Sequence, residues 1–306
     1  MKVRYGSVVL LLLFITAAAF GICALFGVQS PATQGDFSVV ASFYPLYTVA
    51  KNVVGDCEGV SVECLTQPTT GCLHDYQLSP AERVLLETAD VLLLNGAGME
   101  EFLESTLVSL PALKTVDTSK GIELLACEEH EHEGHEHTVN AHVWVDPVRY
   151  GEQVKAVRDA LCEADPAHAA AYTANAAAYL QKIAAVQQEL QGVALPFDSA
   201  LLFHDSMAYV AQALSLKTVG TLPLGENEAA SASELKAAAD AVSGQAVLLL
   251  YDTQYPALYE SLADYAAKAA AVYWNIAVQP IQGVAEADVW LYAMEQNIRA
   301  VKEAAK

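Results

Sequence analysis

Seven of the eight histidines fall into two arrangements, and both suit a transition metal. Three stand singly and far apart, each at the end of an apolar run or beside a turn. They are His74 in Gly-Cys-Leu-His-Asp-Tyr, His142 in Asn-Ala-His-Val-Trp-Val-Asp-Pro and His204 in Leu-Leu-Phe-His-Asp-Ser. The other four are packed into residues 128–137, which read EEHEHEGHEH. Neutral imidazole is a good zinc ligand, and three such groups from different parts of a fold close most of a tetrahedral site. The eighth, His168 in Asp-Pro-Ala-His, stands at a helix start and reads as a surface residue.

Other metal and nucleophile chemistries fit less well. The run His130-Glu131-His132-Glu133-Gly134-His135 approaches the His-x-His-x-Asp-His motif of metallo-β-lactamase-like hydrolases but lacks the aspartate. Its repetition of Glu and His suits a mobile, metal-attracting loop or a merely solvated acidic one. The zinc-protease His-Glu-x-x-His and the Gly-x-Ser-x-Gly elbow are absent from the sequence. None of the cysteines has Cys-x-x-Cys spacing, so a thiolate site is not expected.

The elements that must position these histidines alternate between short apolar runs and helical stretches. Strands are expected at 37–43, 60–65, 91–95 and 114–117, with helices to about 54, from 79 to 89 and near 100–110. Ser79-Pro80-Ala81-Glu82 is a capping box with proline at the first helical position. Asp146-Pro147 starts a second helical region that runs to about 191, interrupted only at Asp165-Pro166. A helix of about 25 residues there would span roughly 37 Å, the length of a strut between two lobes. Beyond Leu195-Pro196, strands are expected at 200–203, 218–222, 246–251 and 271–276. Helices are expected at 205–214, 233–242, 256–270 and 287–305, with a second capping box at Ser231-Ala232-Ser233-Glu234. Strand–helix alternation in both halves predicts an α/β protein with two lobes, each a mainly parallel sheet flanked by helices, joined by one long rigid helix. The domains expected are a leader and tether (1–36), an N-terminal lobe (37–147) carrying the His-rich loop, linking helices (148–195) and a C-terminal lobe (196–306).

In open α/β sheets, ligands bind beyond the carboxyl ends of the strands, near helix N-termini. His74 and His204 are both expected there, one in each lobe, with His142 just before the strut. Convergence on the cleft between lobes follows. Asp75 and Asp205 directly follow two of these histidines and read as helix caps, or as acceptors behind a ligand.

The whole chain has 306 residues, 54% of them hydrophobic, enough for two domains with sizeable cores. A net charge of −21 leaves no basic stripe for phosphate and argues against nucleic acid. Lys2 and Arg4 precede twenty uncharged residues, 8–27, the layout of a secretory signal or membrane anchor. Cys23 raises lipidation as a third possibility, although Ile22 stands where a small residue is wanted. In each case the globular part is exported, which permits disulfides. Cys57, Cys64, Cys72, Cys127 and Cys162 lie in that part, an odd number, so at least one thiol is left over.

In combination, order and spacing, several segments resemble the zinc- and manganese-binding solute receptors of bacterial ABC importers. They are Ala41-Ser42-Phe43-Tyr44-Pro45-Leu46, Thr70-Gly71-Cys72-Leu73-His74-Asp75-Tyr76, Asn95-Gly96-Ala97-Gly98-Met99-Glu100, Ala141-His142-Val143-Trp144, Phe203-His204-Asp205 and Ala293-Met294-Glu295-Gln296-Asn297, together with the His-rich loop. The resemblance covers nearly all of the chain after the leader. It implies two α/β lobes joined by a long helix, metal held between them by His74, His142 and His204, and small lobe movements on release. Many relatives place a fourth, carboxylate ligand where Gln279 falls here. The fourth position is therefore left to water, Gln279, a loop histidine or a carboxylate such as Asp252. Three neutral imidazoles without a carboxylate favour zinc over manganese.

The expected function is that of an extracytoplasmic receptor, not an enzyme, delivering zinc to an ABC permease and acting as a monomer. It would sit at the outer face of the membrane or in the periplasm. A zinc hydrolase and a surface metal buffer or adhesin are the alternatives.

Overall fold

Four consecutive apolar residues, Val91–Leu94, form a strand buried on both faces, as a parallel sheet with helices on each side requires. The computed structural model describes residues 37–67, 73, 76–126, 139–222, 230–255 and 257–306. In its N-terminal lobe the chain runs β1 (Phe37–Ala41), α1 (Tyr44–Val54), β2 (Val60–Cys64), α2 (Pro80–Glu87), β3 (Val91–Leu94), α3 (Glu104–Val108) and β4 (Lys114–Asp117). The strands lie in the order β2-β1-β3-β4, all parallel. The capping box at Ser79 forms as expected: its side chain accepts from the Glu82 N–H, and Glu82 reaches back to the Ser79 N–H.

Two helices follow, α4 (Pro147–Ala164) and α5 (Ala169–Gln191). Asp146 caps α4 by accepting from the Arg149 N–H. The break between them falls at Asp165-Pro166, where proline cannot continue the hydrogen-bond ladder. With 23 residues, α5 is about 34 Å long. The C-terminal lobe contains β5 (Ser199–Leu202), α6 (Met207–Ala213), β6 (Lys217–Thr221), α7 (Ala232–Val242), β7 (Ala246–Asp252), β8 (Lys268–Trp274) and α8 (Val289–Ala304). Its sheet is again parallel, in the order β6-β5-β7-β8. The two lobes therefore share one topology, in which β1 and β5 play the same part.

Two expected helices take other forms. The helix near 100–110 is a 3-10 turn, Glu101–Leu103, followed by the five residues of α3. Glu100 turns its side chain inward instead of starting a regular helix. The helix expected at 256–270 reduces to a 3-10 segment, Glu260–Tyr265, preceded by Tyr259 in the left-handed region (φ 63°). The Ala-rich residues after it pair with β7, from Ala246 opposite Lys268 to Asp252 opposite Trp274. Sheet pairing overrides the helical preference of alanine.

One hydrophobic core runs through the inner faces of both sheets and the linking helices. At its centre Tyr150 of α4 stacks on Trp290 of α8, with ring centroids 4.2 Å apart. The Trp144 indole donates to the Ile276 carbonyl at 2.8 Å, and the Trp290 indole donates to the Trp144 carbonyl at 2.9 Å. Buried indole donors satisfied across the lobes fix their relative placement. Smaller clusters under Leu86 and Leu249 fill the outer sides of the two sheets.

Candidate metal centre

His204 lies just past the carboxyl end of β5, before α6, where an α/β sheet presents ligands. His142 opens the 3-10 turn Val143–Val145 that leads into α4. The fold brings the two together across the cleft: their rings meet edge-to-face, with centroids 5.1 Å apart. His204 is buried and stacks on Tyr255 at 4.9 Å; His142 is half-buried and tilts against Trp144 at 5.2 Å.

Hydrogen bonds hold the orientation of each ring, and for His142 they fix the proton position as well. His142 Nδ1 lies 2.9 Å from Asn140 Oδ1, which also accepts from the His142 backbone N–H at 3.0 Å. The Asn140 amide nitrogen donates to the Asp205 carbonyl at 2.7 Å. A backbone N–H can only donate and a carbonyl can only accept, so the amide has one consistent orientation. His142 Nδ1 therefore carries the proton and Nε2 the lone pair. His204 Nδ1 sits 2.7 Å from Ser206 Oγ, whose own proton goes to Asp252 Oδ2 at 3.2 Å. The Ser206 backbone N–H also donates towards His204 Nδ1 at 3.2 Å, so both polar groups of Ser206 hold the Nδ1 edge of the ring. Ser206, itself bonded to Asp252, thereby fixes the orientation of the His204 ring.

Burial pushes His204 down to about 4, so its ring is neutral and ready to ligate at neutral pH. Burial also pushes Asp252 up to about 6, against the opposing effect of hydrogen bonds from Gln254 and Ser206. Asp252 Oδ2 is 3.8 Å from His204 Nδ1 and stands behind the ring. Phe43, Tyr44, Leu73, Met99, Trp144, Tyr255, Ile276 and Val278 make most of the cleft apolar; Thr66, Gln67 and Gln254 add neutral polar groups. Its volume of about 30 Å³ holds an ion with a water, not an organic ligand. No carboxylate lines it among the described residues.

His74 and Asp75 lie outside the described residues, as does the His-rich segment 128–137. Leu73, the neighbour of His74, lines the cleft. Asp205 does not cap α6: that helix begins at Met207 with Ser206 at the cap position. Gln279 is exposed, and it is the preceding Val278 that faces the cleft. His168 is partly exposed and pairs with Asp165 at 2.6 Å. Cys57, Cys64 and Cys162 are free thiols; Cys72 and Cys127 lie outside the described residues. Among the described residues no group of three or more His, Cys, Asp or Glu side chains gathers around one point.

Asn140, Ser206 and the role of Asp252 behind His204 were not legible beforehand as parts of the site. The signal for the first two is a polar side chain two residues from a lone histidine, in Asn-Ala-His and His-Asp-Ser.

Several known proteins are similar to this chain. A family model described as zinc-uptake complex component A, periplasmic, matches residues 39–304. The iron-binding protein YfeA of Yersinia pestis is 33% identical over 140 residues, 46% of this chain and 43% of that protein. The zinc-binding lipoprotein AdcA of Streptococcus pneumoniae (strain ATCC BAA-334 / TIGR4) is 27% identical over 308 residues, 92% of this chain. The chain spans only 59% of that relative's length. A crystal structure of ZnuA superposes with a TM-score of 0.69 at 24% identity, covering 88% of this chain and 99% of that one, and shares its fold. No helix among the described residues is long and apolar enough to cross a membrane.

Proposed function

The chain belongs to the zinc-uptake complex component A family, and on that footing we propose that it is an extracytoplasmic receptor that binds zinc and delivers it to an ABC permease. The observation that carries this reading is the facing pair His142 and His204, each ring held by hydrogen bonds at Nδ1, so that Nε2 is the ligating nitrogen in this reading. Two neutral nitrogens in an apolar cleft of ionic size suit a borderline metal better than a hard one, which favours zinc over manganese. His74 is the third ligand in this reading, supported by the place of Leu73 in the cleft wall. The fourth position goes to water or a loop histidine, since Gln279 is exposed and Asp252 is turned to Ser206.

The protein has no catalytic role in this reading. Hydrolysis would need a general base beside the ion, and the described cleft residues offer none besides the two histidines. The chain divides at 36, 147 and 195 into leader with tether, N-terminal lobe, linking helices and C-terminal lobe, and it acts as a monomer. Export by the leader agrees with the periplasmic description of the family.

Competition titration with a zinc chelator tests the site. His74→Ala, His142→Ala and His204→Ala should each weaken zinc by more than the roughly tenfold to hundredfold typical of a residue behind a ligand. Wild-type affinity in any of the three removes that histidine from the site.

A further inference from the structure

Asn140 is almost wholly buried and uses every polar atom it has. Its Oδ1 accepts from the backbone and ring nitrogens of His142 at 3.0 and 2.9 Å. Its Nδ2 donates at 2.7 Å to the carbonyl of Asp205, the residue after His204 in the other lobe. Its backbone carbonyl accepts from the Tyr209 hydroxyl of α6 at 2.7 Å, and that hydroxyl accepts in turn from the Leu125 N–H at 3.1 Å. Its own N–H donates to the Leu125 carbonyl at 2.8 Å. One planar amide thus touches the His142 ring on one edge and the His204 segment of the opposite lobe on the other.

We propose that Asn140 is a positioning residue that holds His142 in its ligating orientation and makes that orientation conditional on contact between the lobes. This rests on the reading of His142 and His204 as ligands. The amide is rigid, so its two edges cannot move independently. Separating the lobes breaks the Nδ2–H to Asp205 carbonyl bond and frees the side chain to rotate. Rotation withdraws Oδ1 from His142 Nδ1–H, and the ring loses both its fixed tautomer and its direction. Closure restores both together. Loading and release of the ion are then coupled to lobe contact through one side chain, without a hinge of large amplitude.

The test is a double-mutant cycle read by zinc competition titration and by the rate of zinc loss to excess chelator. Asn140→Ala should weaken zinc by roughly tenfold to a hundredfold. In a His142→Ala background the same change should cost threefold or less, because the ring through which it acts is gone. An equal loss in both backgrounds means that Asn140 acts through general stability, and the proposal fails. Asn140→Asp keeps the acceptor and loses the donor: it should recover most of the affinity yet release zinc at least threefold faster. Affinity as poor as that of Asn140→Ala, or release at the wild-type rate, overturns the corresponding half of the proposal. Should the alanine variant fail to fold, nitrogen-15 histidine spectra of the wild-type apo protein decide: His142 must appear as the Nδ1–H tautomer, and the Nε2–H form contradicts the assignment. If His142→Ala alone leaves zinc binding intact, it is the ligand assignment that falls, a result distinct from all of these.

Discussion

The two lobes have the same strand order, and each keeps a buried carboxylate behind the cleft, yet the two carboxylates serve different partners. In the C-terminal lobe Asp252, at the end of β7, accepts from Ser206 and through it orients the ring of His204. In the N-terminal lobe Glu100, shortly after β3, accepts from Ser42 Oγ at 2.6 Å, the Asn95 N–H at 2.7 Å and the Gly96 N–H at 3.0 Å. Glu100 therefore closes a backbone loop, where Asp252 aims a proposed ligand. Gly96 shows how tight that loop is: it has φ +83°, and a Cβ there would fall 1.8 Å from Asp117 Oδ1. One topology thus supplies a carboxylate for architecture in one lobe and for the site in the other.

The largest effect expected from this contrast is on stability, at Glu100. Burial pushes it up to about 7, outweighing its three donors. The folded state holds this proton more tightly than the unfolded chain. The stability it contributes is complete below the unfolded value of 4.5 and is lost as pH rises through about 7. The difference is on the order of 3 kcal/mol. Urea unfolding of the apo protein at pH 5 and pH 8 should show this fall in wild type and a flatter profile in Glu100→Gln. Equal slopes would mean that the carboxylate is ionised throughout.

Next is zinc affinity. Asp252→Asn and Ser206→Ala should each weaken zinc by roughly tenfold to a hundredfold, because each loosens the His204 ring. Glu100→Gln should stay within about threefold in the same titration. A large loss at Glu100, or none at Asp252, would erase the distinction between the lobes.

These two carboxylates also mark how far the sequence could be read. The parallel sheets, both capping boxes and the helical break at Asp165-Pro166 follow from local signals, because period, caps and proline act over a few residues. The placement of His142 and His204 in one cleft was legible from strand ends and helix starts. The segment 256–270 misled because its alanines favour helix locally, while pairing with β7 comes from residues some twenty positions away. Asn140 and Ser206 escaped notice for a related reason: their partners Asp205 and Asp252 are 65 and 46 residues distant. Gln279 was one of four candidates for the fourth position; it is exposed, and after the turn at Ala277 (φ 58°) it is Val278 that lines the cleft.

A smaller effect belongs to Tyr44, whose ring lines the N-terminal wall of the cleft and whose buried hydroxyl has no hydrogen-bond partner among the described residues. Removing an unsatisfied buried donor is neutral or favourable. Tyr44→Phe should leave apo stability unchanged or raise it by up to about 1 kcal/mol, measured by urea unfolding. A clear loss would reveal a partner for the hydroxyl. Smallest of all, Gln279→Asp should change neither zinc nor manganese affinity by more than about twofold, since an exposed carboxylate outside the cleft is screened by solvent. A selective gain for manganese would return that position to the metal shell.

The central claim, that imidazoles from the two lobes hold the ion between them, is tested most directly by zinc-edge X-ray absorption on the one-equivalent complex near neutral pH. First-neighbour nitrogens are expected at about 2.0–2.1 Å with the outer scattering of at least two imidazole rings, reduced by one ring in His142→Ala and again in His204→Ala. A shell dominated by sulfur at about 2.3 Å, or by oxygen without imidazole scattering, would contradict it.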